Sequence, residues 1–189
     1  MAAIIDVEHC AGLRNKAVLL YATDNPGEGI PGSIAVNLDE GVDFEALGIS
    51  DDTPVIVYGE LAAAVWWMAK VAGLSNVAVL DGGLAAWEGS GRASGALGEP
   101  KKRGTIKAEM AMEYVAEKAE SDGYVHTVEV DETLVREFVD EQGYFADARD
   151  VLEAKAGSAR ALIFARGERA CVGALVATVA GYGDVRVIP

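Results

Sequence analysis

The chain has 189 residues, the length of one large or two small domains, and 51% of them are hydrophobic, enough to bury a sizeable core and too many for a disordered segment. Mean hydropathy is +0.18, yet no apolar run reaches the about 20 residues of a membrane span, so no membrane insertion is expected. A formal net charge of −14, with pI near 4.5, argues against nucleic acid and anionic membrane as partners.

The amino terminus, MAAIIDVEHC, has no basic region followed by an apolar run, and no signal peptide is visible. The two cysteines, Cys10 and Cys171, make no disulfide framework, which points to a reducing compartment, cytoplasm or organelle matrix. His9 and His126 lack ligand-like neighbours and no CxxC or HExxH spacing occurs, so neither a metal nor a cofactor is expected. LLYATD, ending at Asp24, reads as a buried strand. Residues 55–79 then give an apolar run (VIVY), a short loop, an Ala/Val-rich helix, Val-Ala-Gly and a second run (VAVL). Asp81-Gly82-Gly83 predicts a tight turn needing positive φ, and Trp66, Trp67 and Trp87 read as core. Residues 91–104, GRASGALGEPKKRG, form a Gly/Pro/Lys-rich linker. The spacing of Met110, Tyr114 and Val115 predicts a helix within 105–121. Residues 131–142 predict a second one, capped by Asp131 and presenting Leu134, Val135 and Phe138. YFADARD, ending at Asp150, reads as another buried strand ending in Asp.

Residues 162–187 repeat 55–79. The apolar runs are offset by 107 positions (162 − 55) and the Val-Ala-Gly tripeptides by 108 (179 − 71), with Gly73 and Gly181 at helix ends. From Asp24 to Val55 is 31 positions (55 − 24); from Asp150 to Leu162 is 12 (162 − 150). A second half shortened by about 19 residues follows, lacking a counterpart of GIPGSIAVNLDE. The expected class is α/β, with two parallel sheets and flanking helices. The expected division is a domain at 1–97, a linker with a helix at 98–123 and a shortened domain at 124–189.

The candidate site is LIFARGERACV, residues 162–172: a strand, an Arg/Gly loop and a helix start. That layout aims backbone N–H groups and the positive end of a helix at one point, which suits an anion or a thiolate. Ala165 holds the first loop position, followed by Arg166, Gly167, Glu168 and Arg169. Arg166 and Arg169 have two readings: forks for an oxyanion such as thiosulfate, sulfate or phosphate, or ion pairs with Glu168 and other carboxylates. Asp147 and Arg149 have two as well, lining that cleft or a structural pair. Cys171 reads as a displaced nucleophile or, preferably, as a small hydrophobe on the inner face of the helix. Cys10 and His9 are adjacent, point in different directions, and read as structural.

At these residues the chain resembles the rhodanese family, specifically the tandem two-domain thiosulfate sulfurtransferases. Ile30-Pro31-Gly32-Ser33 resembles the family's HIPGA turn, with Gly29 in the place of His. FEALGISDDTPVIVY resembles the segment before its central strand, and Trp66-Trp67-Met68 its VWWM helix. LDGGLAAWEGSG, with Asp81, Gly82, Gly83 and Trp87, resembles its most recognisable signature. Asp147-Ala148-Arg149 resembles its D-A-R strand end, and residues 181–185 the approach to its last strand; a second D-G-S-W element is not met before Pro189. The resemblance implies a chemistry in which a cysteine thiolate at the start of the loop takes up a sulfane sulfur as a persulfide. Here that position is Ala165 and the loop is one residue shorter than the family's; the first-half loop, Tyr58-Gly59-Glu60-Leu61, has no cysteine either. The expectation is a catalytically inactive rhodanese-like protein, a structural or interaction subunit. Its partners would be other protein subunits, and Arg166 and Arg169 would hold a small oxyanion. The contact regions would be the helix at 105–121 and the strand at 185–189. The alternative is a sulfurtransferase that uses Cys171.

Overall fold

Continuous apolar runs build the first sheet. In the computed structural model, which describes residues 1–189, β1 (Ile4–Ile5), β2 (Val18–Ala22), β3 (Ile34–Val36), β4 (Val55–Tyr58) and β5 (Val77–Leu80) lie parallel in the order β1-β5-β4-β2-β3. Every residue of β4 and β5 is buried, as in a parallel sheet covered on both faces. The helices of this unit are α1 (Val7–Leu13), α2 (Ala62–Val71) and α3 (Gly83–Gly89). The Asp6 carboxylate starts α1 by accepting from the His9 amide at 2.7 Å. Gly82 and Gly83, with φ of +76° and +55°, make the expected turn into α3. The core gathers Cys10, Leu19, Ile30, Ile56, Tyr58 and Trp87. The Trp87 ring has the guanidinium of Arg14 at 5.6 Å and that of Arg92 at 5.5 Å from its centroid, and its Nε1 donates to the Ala93 carbonyl at 3.0 Å. These elements belong to a unit spanning Met1–Met110.

The second unit, Ala111–Pro189, holds β6 (Val125–Glu129), α4 (Glu132–Phe138), α5 (Arg149–Ala156), β7 (Ala161–Ala165), α6 (Gly167–Ala180) and β8 (Asp184–Ile188). Its three strands are parallel, in the order β6-β7-β8. The run β7–α6–β8 repeats β4–α2–β5, as the paired motifs predict. Asp131 caps α4 by accepting from the Leu134 amide at 2.8 Å, and Gly181, at φ +101°, closes α6. Gly173 presses α6 onto β7 so closely that a Cβ there would overlap the Phe164 ring.

Three expectations are corrected. The second half is truncated as expected, with three strands against five, but the chain between its first two strands is not shortened. β6 lies beside β7 as β2 lies beside β4, and the spacings are alike: 33 positions from Ala22 to Val55 (55 − 22) and 32 from Glu129 to Ala161 (161 − 129). The second stretch is spent on α4 and α5, so its sheet does lack the edge strand that β3 supplies to the first. YFADARD is not a strand: Asp147 accepts from the Arg149 amide at 3.1 Å and opens α5. The helix at 105–121 is replaced by one 3-10 turn, Met112–Tyr114. Side chains distant in sequence hold the amides of residues 105–108. Thr105 donates to Ser50 Oγ, Ile106 to Glu45, and Lys107 and Ala108 to Asp51, at 2.8–3.1 Å. Met110, placed on the expected apolar face, is 67% exposed, and Met112, in the 3-10 turn, is 56% exposed. No helix is long and apolar enough to cross a membrane.

Candidate functional site

Ala165 is the last residue of β7, paired with Glu129 on one side and Ile188 on the other. Its side chain is 4% exposed and packs in a cluster with Val125, Ile163 and Ile188. The position expected to open a loop therefore belongs to the strand and faces core. Only Arg166 separates β7 from α6; Gly167, Glu168 and Arg169 form the first turn of α6. Arg166, Glu168 and Arg169 are exposed. The ion pairs of the molecule are made elsewhere, so the salt-bridge reading of the two arginines is not realised. No side chain caps the start of α6, a helix of 14 residues. Two guanidiniums beside uncapped backbone N–H groups favour an anion, and the Glu168 carboxylate in the same turn opposes it.

Cys171 faces inward and is 4% exposed. Burial, and then the Glu168 carboxylate, push its thiol up to about 12. Cys10 lies in the core of the first unit; burial raises its thiol to about 11 although Arg92 and Arg14 pull the other way. Both are neutral at physiological pH, and the thiolate is the form that attacks sulfur. Arg149 is not in the cleft beside Arg166. With Tyr124, Arg160 and Tyr182 it lines a cavity of about 1090 Å³ at the amino ends of the strands, while Arg166 lies at the carboxyl end.

The matching strand end in the first unit is built differently. The Tyr58 hydroxyl accepts from the Ile30 amide at 2.9 Å and shares a hydrogen bond with Ser33 Oγ at 2.6 Å; Ser33 Oγ donates to the Ile30 carbonyl at 2.5 Å. Tyr21 stacks on the Tyr58 ring with centroids 4.5 Å apart. Burial outweighs these hydrogen bonds and raises the Tyr58 phenol. Glu60 accepts from Thr23 Oγ1 at 2.6 Å and from the Asp24 amide at 3.4 Å. Gly59 has φ +107° and sits against the Ala22 carbonyl, where a Cβ has no room. Sequence reasoning missed this network. Its signal was a tyrosine ending a wholly apolar strand: a buried hydroxyl needs partners, and the Ile30–Ser33 turn offers them.

Residues 14–90 match the family model described as Rhodanese-like domain. The chain is similar to SseB of Mycobacterium tuberculosis, 46% identical over 48 residues, which are 23% of this chain and 17% of that protein. It is also similar to Thiosulfate/3-mercaptopyruvate sulfurtransferase 2 of Arabidopsis thaliana, 50% identical over 50 residues, 24% of this chain and 15% of that protein. The matched stretches thus cover under a fifth of either relative. Among solved structures, SseA from Escherichia coli, described among 3-mercaptopyruvate sulfotransferases of the rhodanese fold, gives a TM-score of 0.82 at 17% identity over 100% of this chain and 98% of its own. YnjE gives 0.83 at 16% identity over 98% of this chain and 64% of its own.

Proposed function

We propose that the chain, whose residues 14–90 match the rhodanese-like domain model and which has the rhodanese fold throughout, is a member of the rhodanese family that serves as a non-catalytic subunit working by contact. The observation that carries this reading is the burial of Ala165 at the end of β7. Sulfur transfer by a persulfide needs a thiolate presented at a strand end. Here the strand end offers a methyl group turned into core, and the nearest thiol, Cys171, is buried and neutral. What this end keeps is electrostatic, two free guanidiniums for a small oxyanion at Arg166 and Arg169. Contact with other protein subunits falls on the exposed Met110 and Met112 rather than on β8, where the Val187 carbonyl already accepts from the Ala116 amide at 3.0 Å.

Intact mass after thiosulfate treatment, together with thiocyanate formation in the presence of cyanide, tests the proposal. The expected result is an unchanged mass and no thiocyanate above the uncatalysed rate. A gain of one sulfur atom that disappears in Cys171→Ser would establish the other reading, a sulfurtransferase using that cysteine. Sedimentation of the protein in an extract of its source tests the contact role: it is expected to travel with a larger assembly.

A further inference from the structure

The chain carries 30 acidic and 16 basic residues other than histidine, so a cavity with more cations than acids in its wall is unusual for it. In the first unit Arg14, Lys101 and Lys102 line a cavity of about 450 Å³, with Glu99 as the opposing acid. We propose that this cavity binds a small polyanion, a ligand with two or more phosphate or carboxylate groups. The site lies in a different unit from Arg166 and Arg169, and the proposal does not rest on the absence of catalysis.

The cations are held in place without being neutralised. Arg14 donates to the Pro31 carbonyl at 3.1 Å and lies over the Trp87 ring, and no carboxylate pairs with it. Arg92, on the same ring, is by contrast bonded to Glu8 at 3.0 Å. A carbonyl and an indole thus fix the Arg14 guanidinium and leave its charge intact. Lys101 and Lys102 ride on a strap tied at both ends. The Gly98 amide donates to the Ser33 carbonyl at 2.8 Å and the Gly104 amide to the Glu45 carbonyl at 2.7 Å. Neither glycine has room for a Cβ, being set against the backbone of Gly32 and of Ile49. Arg103 ties the strap further, bonding Asp43 at 3.3 Å and Glu45 at 3.0 Å. Of three successive basic residues, the third is consumed as an anchor and the first two are left unpaired on the cavity.

Like charges kept around one space repel, and a polyanion reverses that repulsion. Because strap and guanidinium are already ordered, binding orders little more. The volume suits a small molecule, and Val18, Leu19 and Ile34 give the wall an apolar stretch for a carbon skeleton.

Calorimetry on the full chain with pyrophosphate and with citrate tests this, with acetate and sodium chloride at matched ionic strength as controls. The two arms separate phosphate from carboxylate ligands. The expected result, in the full chain carrying Arg166→Gln and Arg169→Gln and so lacking the other candidate anion site, is saturable binding of at least one of them at one site per chain, weakening as salt is added. In that background Lys101→Ala with Lys102→Ala should weaken it at least about tenfold, while Lys118→Ala with Lys155→Ala, which removes the same charge from the second unit, leaves it unchanged. The proposal is overturned if neither ligand binds that folded protein, if binding survives loss of Lys101 and Lys102, or if it falls equally with the Lys118 and Lys155 changes.

Discussion

At the end of β4, Tyr58 and Glu60 are bonded to Ile30, Ser33 and Thr23, whereas at the end of β7 the side chains of Arg166, Glu168 and Arg169 lie exposed outside the ion pairs. Both ends come from one repeated strand–helix–strand run. The difference teaches that the turn supplies only position. In the first unit the donors and acceptors at that position are consumed in holding the edge turn down. In the second, charge is left available, and the residue that ends the strand is the buried Ala165.

Mutations can break the comparison, and the largest effect is expected at Gly59. Its φ of +107° and its contact with the Ala22 carbonyl leave no place for a side chain. Gly59→Ala is expected to cost about 3 kcal/mol, read from the urea midpoint; a loss below about 1 kcal/mol would mean that this end is not rigid. Tyr58→Phe comes next. It strips the shared partner from the Ile30 amide and Ser33 Oγ, and should cost about 1–3 kcal/mol by the same measurement.

Alkaline pH sharpens the contrast between buried thiols and a reactive one. Each folded-state thiol is raised above its ordinary value of 9.0, to about 11 for Cys10 and about 12 for Cys171. The folded protein therefore holds these protons more tightly than the unfolded chain. The stability this contributes is complete below the unfolded value and lost as pH rises through the folded ones. Tm should fall progressively above about pH 9, and less steeply in Cys171→Ala; a flat profile would place the thiols in water. Ala165→Cys should yield no thiocyanate from thiosulfate and cyanide, because the new thiol would join the Val125–Ile163–Ile188 cluster; measurable turnover would show that the strand end can open. Arg166→Gln with Arg169→Gln is expected to be the mildest change, within about 0.5 kcal/mol in stability, while sulfate binding at that end, followed by chemical-shift titration, disappears.

Much of the fold was legible because it rests on short-range patterns. VIVY and VAVL are unbroken apolar runs, Asp131 stands three residues before the amide it caps, and Gly82 and Gly83 follow Asp81 where only a turn fits. The failures share a long-range cause. Residues 107–121 have helical spacing, but Asp51, more than fifty positions away, holds the amides of Lys107 and Ala108. VHTVEV is no more apolar than YFADARD, and it becomes β6 through its pairing with β7. At the candidate site the sequence predicts a loop from Ala165 to Arg169, whereas only Arg166 lies between the strand and the helix. β7 continues through Ala165 because β6 and β8 both pair with it there, and that pairing lies outside the eleven residues in which the motif was sought.

The position of Trp87 makes it an optical gauge. Two guanidiniums lie against one indole, Arg92 tied to Glu8 at the amino-terminal helix and Arg14 reaching toward the Pro31 turn. Indole emission responds to charge near the ring. Any event that shifts either arginine, whether fraying of α1 or an anion drawing on Arg14, is therefore transmitted to a chromophore the protein already carries. Trp66→Phe with Trp67→Phe would isolate its signal.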